Sequence, residues 1–172
     1  MTDPTYRFEP IGAEHEADFK AMLREPHVGE WWGEANHEWQ LIEEGEASGE
    51  SRGFAVFLDK AFLGYVQVWI PNWDPSYQQE EPWQAEMPEG SRGVDITLAS
   101  RALGHGAKIV RAFAQKLFAE GVVRLTIDPD AHNHRAIRAY EKAGFRSFDE
   151  SYKQSHSVVL MELLPEWLTQ KT

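Results

Sequence analysis

The apolar positions of this chain change rhythm several times, and each change marks an element. Tyr6–Ile11 (YRFEPI) predicts a short first strand. Glu14–Arg24 sets Ala17, Phe19, Ala21, Met22 and Leu23 among charges and predicts a helix. Asn36 is positioned to cap a second helix, which carries Trp39, Leu41 and Ile42. Two apolar runs, Gly53–Leu58 and Phe62–Ile70, flank Asp59-Lys60-Ala61, as in an antiparallel hairpin. Pro71–Gly90 has neither period and predicts a long loop, a feature that often lines a binding site.

The second half alternates strand and helix. Gly93–Ala99 predicts a strand that runs directly into Leu103-Gly104-His105-Gly106. Beyond it, Val110, Phe113, Ala114, Leu117 and Phe118 form a helical stripe ended by Gly121. Val122–Ile127 predicts a strand, and Asn133 caps a helix that runs to Ala143 and stops at Gly144. Phe145–Phe148 and Ser157–Leu163 predict the last two strands. The fold class is a mixed α/β sheet in a single domain over residues 1–172, since 172 residues sit within the roughly 100–200 of one domain.

Composition narrows the function. There are no cysteines, which excludes disulfides, thiolate metal sites and a cysteine nucleophile. No His/Asp/Glu spacing suggests a metal. No apolar run approaches the ~18 residues of a membrane span, and Met1-Thr2-Asp3-Pro4 lacks a basic-then-apolar leader, so a cytoplasmic protein with no membrane partner is expected. The net charge of −11 argues against a nucleic-acid partner. That charge is unevenly spread. Residues 1–100 hold 20 acids and 6 bases, whereas residues 101–172 hold 8 acids and 11 bases. Six of the seven tryptophans also lie in the first part. Carboxylates and ring faces together suit a cationic ligand, although acidic surfaces also serve solubility.

A strand leading into Gly-x-Gly at a helix start can hold an anion, because the first helical N–H groups lack intrahelical acceptors and carry the positive end of the dipole. The spacing is not the dinucleotide fingerprint, as Ile109 stands where a third glycine would fall, and no Gly-Lys-Ser/Thr follows. By itself the loop is equally readable as a tight turn. However, Arg101-Ala102-Leu103-Gly104-His105-Gly106-Ala107 resembles the Arg/Gln-x-x-Gly-x-Gly/Ala pyrophosphate motif of the GNAT acetyltransferases. Asn133–Phe145 (NHRAIRAYEKAGF) resembles the second half of that family's cofactor site. His27–Gly33 (HVGEWWG), Gly64–Gln67 (GYVQ), Arg92–Asp95 (RGVD) and Asp128-Pro129 are similar to aminoglycoside 6′-N-acetyltransferases in particular.

The resemblance implies a mostly antiparallel sheet with a splayed parallel strand pair and flanking helices. It also implies acetyl-CoA as co-substrate, bound by Arg101, Gly104, His105, Gly106, Ala107, Asn133, Ala136 and Tyr140. A main-chain N–H near Ile96 or Thr97 would polarise the thioester, Tyr140 would act as general acid, and Asp128 would relay the amine proton. Asp95, Asp128, Trp31, Trp32 and Gln67 would line the acceptor site, with Trp31 and Trp32 equally readable as packing. The expected acceptor is a cationic small-molecule amine, foremost the 6′-amine of an aminoglycoside. A polyamine, a lysine-like siderophore precursor or a protein N-terminus fits the same charge asymmetry, and so does a module that binds acetyl-CoA without turnover. Either a monomer or a homodimer is compatible with the sequence.

Overall fold

Strand β1 (Tyr6–Pro10) opens the fold, and the computed structural model describes residues 4–72, 82–149 and 157–169. A 3-10 turn (Ala13–His15) leads into helix α1 (Glu16–Leu23), then come short α2 (Pro26–Gly29) and α3 (Ala35–Ser48). Strands β2 (Ser51–Leu58) and β3 (Ala61–Trp69) meet at a two-residue turn, with Asp59 at φ 54°. After α4 (Pro82–Ala85) and β4 (Ser91–Leu98), a second 3-10 turn (Ser100–Ala102) precedes α5 (Gly106–Ala119). The chain continues as β5 (Arg124–Ile127), α6 (His134–Ala143), β6 (Arg146–Asp149), β7 (Leu160–Leu163) and α7 (Pro165–Thr169).

Among the described residues the strands hydrogen-bond in the order β1-β2-β3-β4-β5-β7-β6. β1 lies antiparallel to β2, from Tyr6↔Leu58 to Pro10↔Phe54. β5 and β6 both run antiparallel to β7, which inserts between them. β4 and β5 are the parallel pair, with Ser91↔Arg124, Arg92↔Leu125 and Gly93↔Thr126, and β4 runs on past Gly93 to Leu98. The result is the mixed sheet with a parallel pair and flanking helices that the sequence led us to expect.

The chain condenses into two units interleaved in sequence, Met1–Val68 with Asp95–Ile109 and Trp69–Val94 with Val110–Thr172. The first is built around Phe19, Met22, Leu23, Val28, Trp39, Ile42 and Tyr65. Phe19 sits at its centre, with ring centroids 5.2 Å from Tyr65 and 5.6 Å from Trp39. In the second, α5 buries Val110, Phe113, Ala114 and Leu117, four of the five positions of its predicted stripe, while Phe118 is half-buried. A separate aromatic cluster joins Trp69, Trp83 and Phe148. The Trp69 ring occupies the space where a Gly93 side chain would stand.

Several local features depart from the periodic reading. The N-cap of α3 is Glu34 and not Asn36: its carboxylate accepts the Asn36 and His37 N–H groups at 3.0 and 3.1 Å. Those two donors hold the Glu34 carboxyl below its usual range. Pro71–Gly90, read as loop throughout, contains α4, and Trp83 within it is buried. Residues 73–81 of that loop, Trp73 and Tyr77 included, lie outside the described residues. The α6 cap is as predicted, Asn133 Oδ1 accepting the Ala136 N–H at 3.1 Å, and Gly144 ends the helix at φ 113°.

Candidate active site

In the first unit, residues 65 and 67 of β3 share one face because strand side chains alternate. The Tyr65 hydroxyl donates to Gln67 Oε1 at 2.9 Å, and Gln67 Nε2 donates to Asp95 Oδ2 at 2.7 Å. Burial pushes the Tyr65 phenol far above its ordinary range, and the Asp95, Glu46 and Glu38 carboxylates push the same way. The hydroxyl is therefore held as a proton donor, which fixes the Gln67 amide with its oxygen toward Tyr65 and its nitrogen toward Asp95. The result is a directed line of two hydrogen bonds ending in a carboxylate.

The surroundings of Tyr65 are tightly fitted. Its ring is 1% exposed and meets Phe19 and Trp32 edge-on, the latter at 6.4 Å. A Cβ at Gly53 would lie 2.5 Å from the Tyr65 Oη, so a glycine is what lets the phenol reach Gln67. The Gly53 N–H in turn donates to the Glu46 carboxylate, and the Gly33 N–H donates to Glu38 Oε1 at 2.9 Å. Both acids are thus held by backbone donors. Of the paired tryptophans, Trp32 packs into this cluster and Trp31 is exposed.

The same unit carries the glycine loop. A Cβ at Gly64 would fall 2.3 Å from the Thr97 carbonyl oxygen, so this glycine allows β3 and the end of β4 to approach closely. Thr97 is buried, Ile96 half-buried, and the Ala99 N–H donates to Leu63 O at 2.9 Å. The chain then turns through Ser100–Ala102 to Gly104, whose φ of 86° is the left-handed region that only glycine enters without strain. Among the described residues nothing lies within 4 Å of a Cβ there, so conformation and not space requires this glycine.

Ile109 N–H to His105 O is an early bond of α5, leaving the Gly106 and Ala107 N–H groups ahead of the intrahelical ladder. Arg101, in the turn that precedes them, is exposed. The His105 N–H donates to Ala102 O at 2.9 Å, and its Nδ1 lies 2.8 Å from the Tyr6 hydroxyl. Both contacts hold His105 in the turn.

The second unit carries the other sequence-predicted residues. Asp128, half-buried, directly follows β5. The segment after it is pinned to residues 157–159: Val159 N–H donates to Pro129 O at 2.9 Å and Ala131 N–H to Ser157 O at 2.8 Å. Asp130 folds this loop by accepting the His132 N–H at 2.8 Å, and its main-chain oxygen accepts the Asn133 N–H at 2.9 Å. On α6, Asn133 spends its side chain on the Ala136 N–H, so both belong to the cap. Tyr140 is buried against Phe145 at 6.1 Å between ring centroids.

The structure thus groups Trp32, Gln67 and Asp95 in one unit with the glycine loop, and Asp128, Asn133, Ala136 and Tyr140 in the other. Sequence reasoning passed over Tyr65 and Asp130. Tyr65 was recoverable from its i, i+2 relation to Gln67, and Asp130 from its position two residues before a polar N–H.

Among the described residues no group of three or more His, Asp or Glu could hold a metal, and no helix is long and apolar enough to cross a membrane. A mixed sheet with one parallel pair and a glycine turn at a helix start is the arrangement that the resemblance implied. The chain belongs to the GNAT acetyltransferases: the family described as Acetyltransferase (GNAT) domain matches residues 14–152.

Its relatives are more particular. The aminoglycoside N(6′)-acetyltransferase type 1 of Klebsiella pneumoniae is 32% identical over 139 residues, covering 72% of this chain. The chain spans 65% of the length of that curated relative. A kanamycin resistance protein of Rhizobium radiobacter is 45% identical over 67 residues, 37% of this chain and 62% of that protein. Among solved structures, the aminoglycoside acetyltransferase AAC(6′)-Ib with ribostamycin and coenzyme A superposes with a TM-score of 0.81 at 27% identity, covering 97% of each chain. The spermidine N-acetyltransferase of Vibrio cholerae superposes at 0.72 with 12% identity, covering 96% of this chain and 98% of that one, a likeness of fold alone.

Proposed function

We propose that this protein transfers the acetyl group of acetyl-CoA to the 6′-amine of an aminoglycoside, by direct attack in a ternary complex. The observation that carries the acceptor side is the Tyr65–Gln67–Asp95 line, a carboxylate held ready for a cationic group in an acidic, aromatic setting. The names of the curated relatives support the same acceptor. Asp95, Gln67, Trp32 and Trp31 would hold the sugar amines, and Asp128 would relay the amine proton.

On the donor side, Gly104, Gly106, Ala107 and Arg101 would hold the pyrophosphate at the start of α5, where backbone donors and the helix dipole favour an anion. His105 would keep that loop in shape, and Asn133 with Ala136 would form the cofactor-facing cap of α6. A main-chain N–H at Ile96 or Thr97 would polarise the thioester carbonyl, a contribution of about 3 kcal/mol for a fixed donor aimed at the developing oxyanion. The acceptor nitrogen forms the new C–N bond as the C–S bond breaks. Its excess proton leaves through Asp128 or water, and Tyr140 protonates the departing thiolate.

The test is release of free thiol from acetyl-CoA with a panel of aminoglycosides, spermidine and free amino acids. Release is expected with kanamycin and other 6′-amino compounds, and none with those bearing a 6′-hydroxyl. Transfer to spermidine or amino acids without transfer to any 6′-amino aminoglycoside would refute the proposal. Tyr140→Phe should lower turnover by about 10²-fold if Tyr140 is the general acid; unchanged turnover would leave it a packing residue.

A further inference from the structure

Helix α2 (Pro26–Gly29), with Glu25 ahead of it, leads directly into Trp31 and Trp32. Glu25 occupies the N-cap position of α2 (φ −67°, ψ 131°), yet its side chain does not cap that helix. Instead Glu25 Oε2 accepts the Ser100 N–H at 2.7 Å, across 75 residues of sequence. His27 Nδ1 lies 3.6 Å from the same oxygen, and its Nε2 lies 3.3 Å from Leu98 O. The two side chains therefore grip the chain on both sides of Ala99, where β4 gives way to the turn that enters the glycine loop.

α2 is a firm base for this grip. Val28 is buried, Gly29 N–H donates to Glu25 O at 2.9 Å, and Trp32 N–H donates to Val28 O at 3.1 Å. By contrast, the Ala102, Leu103 and His105 N–H groups bond to carbonyls three residues back, which shapes the turn without anchoring it. Among the contacts that anchor it are Ala99 N–H on Leu63 O, Tyr6 on His105, and the Glu25–His27 pair.

We propose that Glu25 and His27 are positioning residues that hold the donor loop in its binding conformation from the segment bearing Trp31 and Trp32. This rests on the reading of the Arg101–Ala107 loop as the pyrophosphate site. Neither residue touches the reacting atoms; they act through the Ser100 N–H and the Leu98 carbonyl. Loss of the grip frees the turn, so the ordering is deferred to the moment of binding and lowers affinity for the donor, while acceptor affinity and the chemical step are left alone.

The test is direct titration of the full-length protein with coenzyme A by calorimetry, together with acetyl-CoA and acceptor kinetics. Glu25→Ala should raise the coenzyme A Kd by about tenfold, the weight of one charge-assisted hydrogen bond, with kcat and the acceptor KM within about twofold. Glu25→Gln keeps an acceptor oxygen for Ser100 and should stay within about threefold of the wild type. Ser100→Pro removes the same bond from its other end. Ala99 is already extended (φ −64°, ψ 159°) and Ser100 opens the turn, so proline fits there.

If the bond is what matters, Ser100→Pro matches Glu25→Ala, and the double variant is no worse than either. Coenzyme A binding within twofold of wild type in Ser100→Pro overturns the proposal, whether or not Glu25→Ala folds. So do losses that add in the double variant, or a fall in kcat with binding unchanged. A wild-type protein that binds coenzyme A but acetylates no aminoglycoside would refute the proposed acceptor and leave this inference standing. Absence of coenzyme A binding would refute both.

Discussion

Gly53→Ala is a small change that the geometry makes large. The added carbon would stand 2.5 Å from the Tyr65 oxygen and 2.6 Å from its Cε2. Ordinary contact begins near 3.5 Å, so ring or strand must yield by about 1 Å. The Tyr65 ring cannot swing aside freely, since it is 1% exposed and fixed by Phe19 and Trp32. Overpacking of this kind costs about 1–3 kcal/mol. The same displacement strains the 2.9 Å bond to Gln67, for a further loss of about 1 kcal/mol. Alanine returns about 0.5–1 kcal/mol by restricting the unfolded chain. The net expectation is a loss of about 1–3.5 kcal/mol, read as a lower urea midpoint at constant m-value. Because the Gln67 amide loses its fixed partner, the acceptor KM should rise as well. Adding Tyr65→Phe removes the closest clash but not the one at Cε2, so it should recover part of the stability and none of the acceptor affinity. A Gly53→Ala protein within about 0.5 kcal/mol of wild type would refute the claim that Tyr65 is rigidly held.

Three further outcomes follow from other parts of the structure. Asn133→Ala should cost about 1 kcal/mol by removing the α6 cap, and Asn133→Asp should restore most of it; equal losses in both variants would count against a capping role. The Asp130 carboxyl is lowered, first by the His132 N–H and then by its ring. Its contribution to loop order is therefore full above the ordinary carboxylate pKa and is lost as pH falls through the lower folded value. An NMR titration of the His132 amide should show that transition below the range of exposed aspartates, and a midpoint at or above about 3.9 would contradict it. Tyr65, raised by burial, should give no phenolate absorbance at pH values where exposed tyrosines titrate, about 10. Its contribution is present below the unfolded value and lost only as pH rises, so Tyr65 ionisation should coincide with alkaline unfolding; ionisation of the folded protein at pH 10 would be the contrary result.

Legibility in the sequence tracked the length and regularity of the element. The α5 stripe, the β2–β3 hairpin and the α6 cap were readable because period, turn and cap residue agreed. Helices α2, α4 and α7 were missed, as elements of four or five residues complete too little of a 3.6-residue period to leave a pattern. Glu34 was overlooked as a cap because its longer side chain is not among the favoured capping types, although here it satisfies two N–H groups. The insertion of β7 between β5 and β6 depends on pairings distant in sequence, which no local window carries. The site followed the same rule: Gln67 and Asp95 stand in recognisable motifs. That Tyr65 joins Gln67 to make a directed line, and that Glu25 reaches Ser100, depends on where the strands bring them.

Because the two units interleave, with crossovers inside β3, β4 and α5, neither corresponds to one continuous stretch of gene. During synthesis the first unit must wait for Asp95–Ile109 to be made, since partners such as Tyr6 and His105 are 99 residues apart. No single cut in the polypeptide can release either unit intact. A split-protein reporter or a two-fragment expression system that divided this chain along a boundary between the units would thus have to break a strand or a helix.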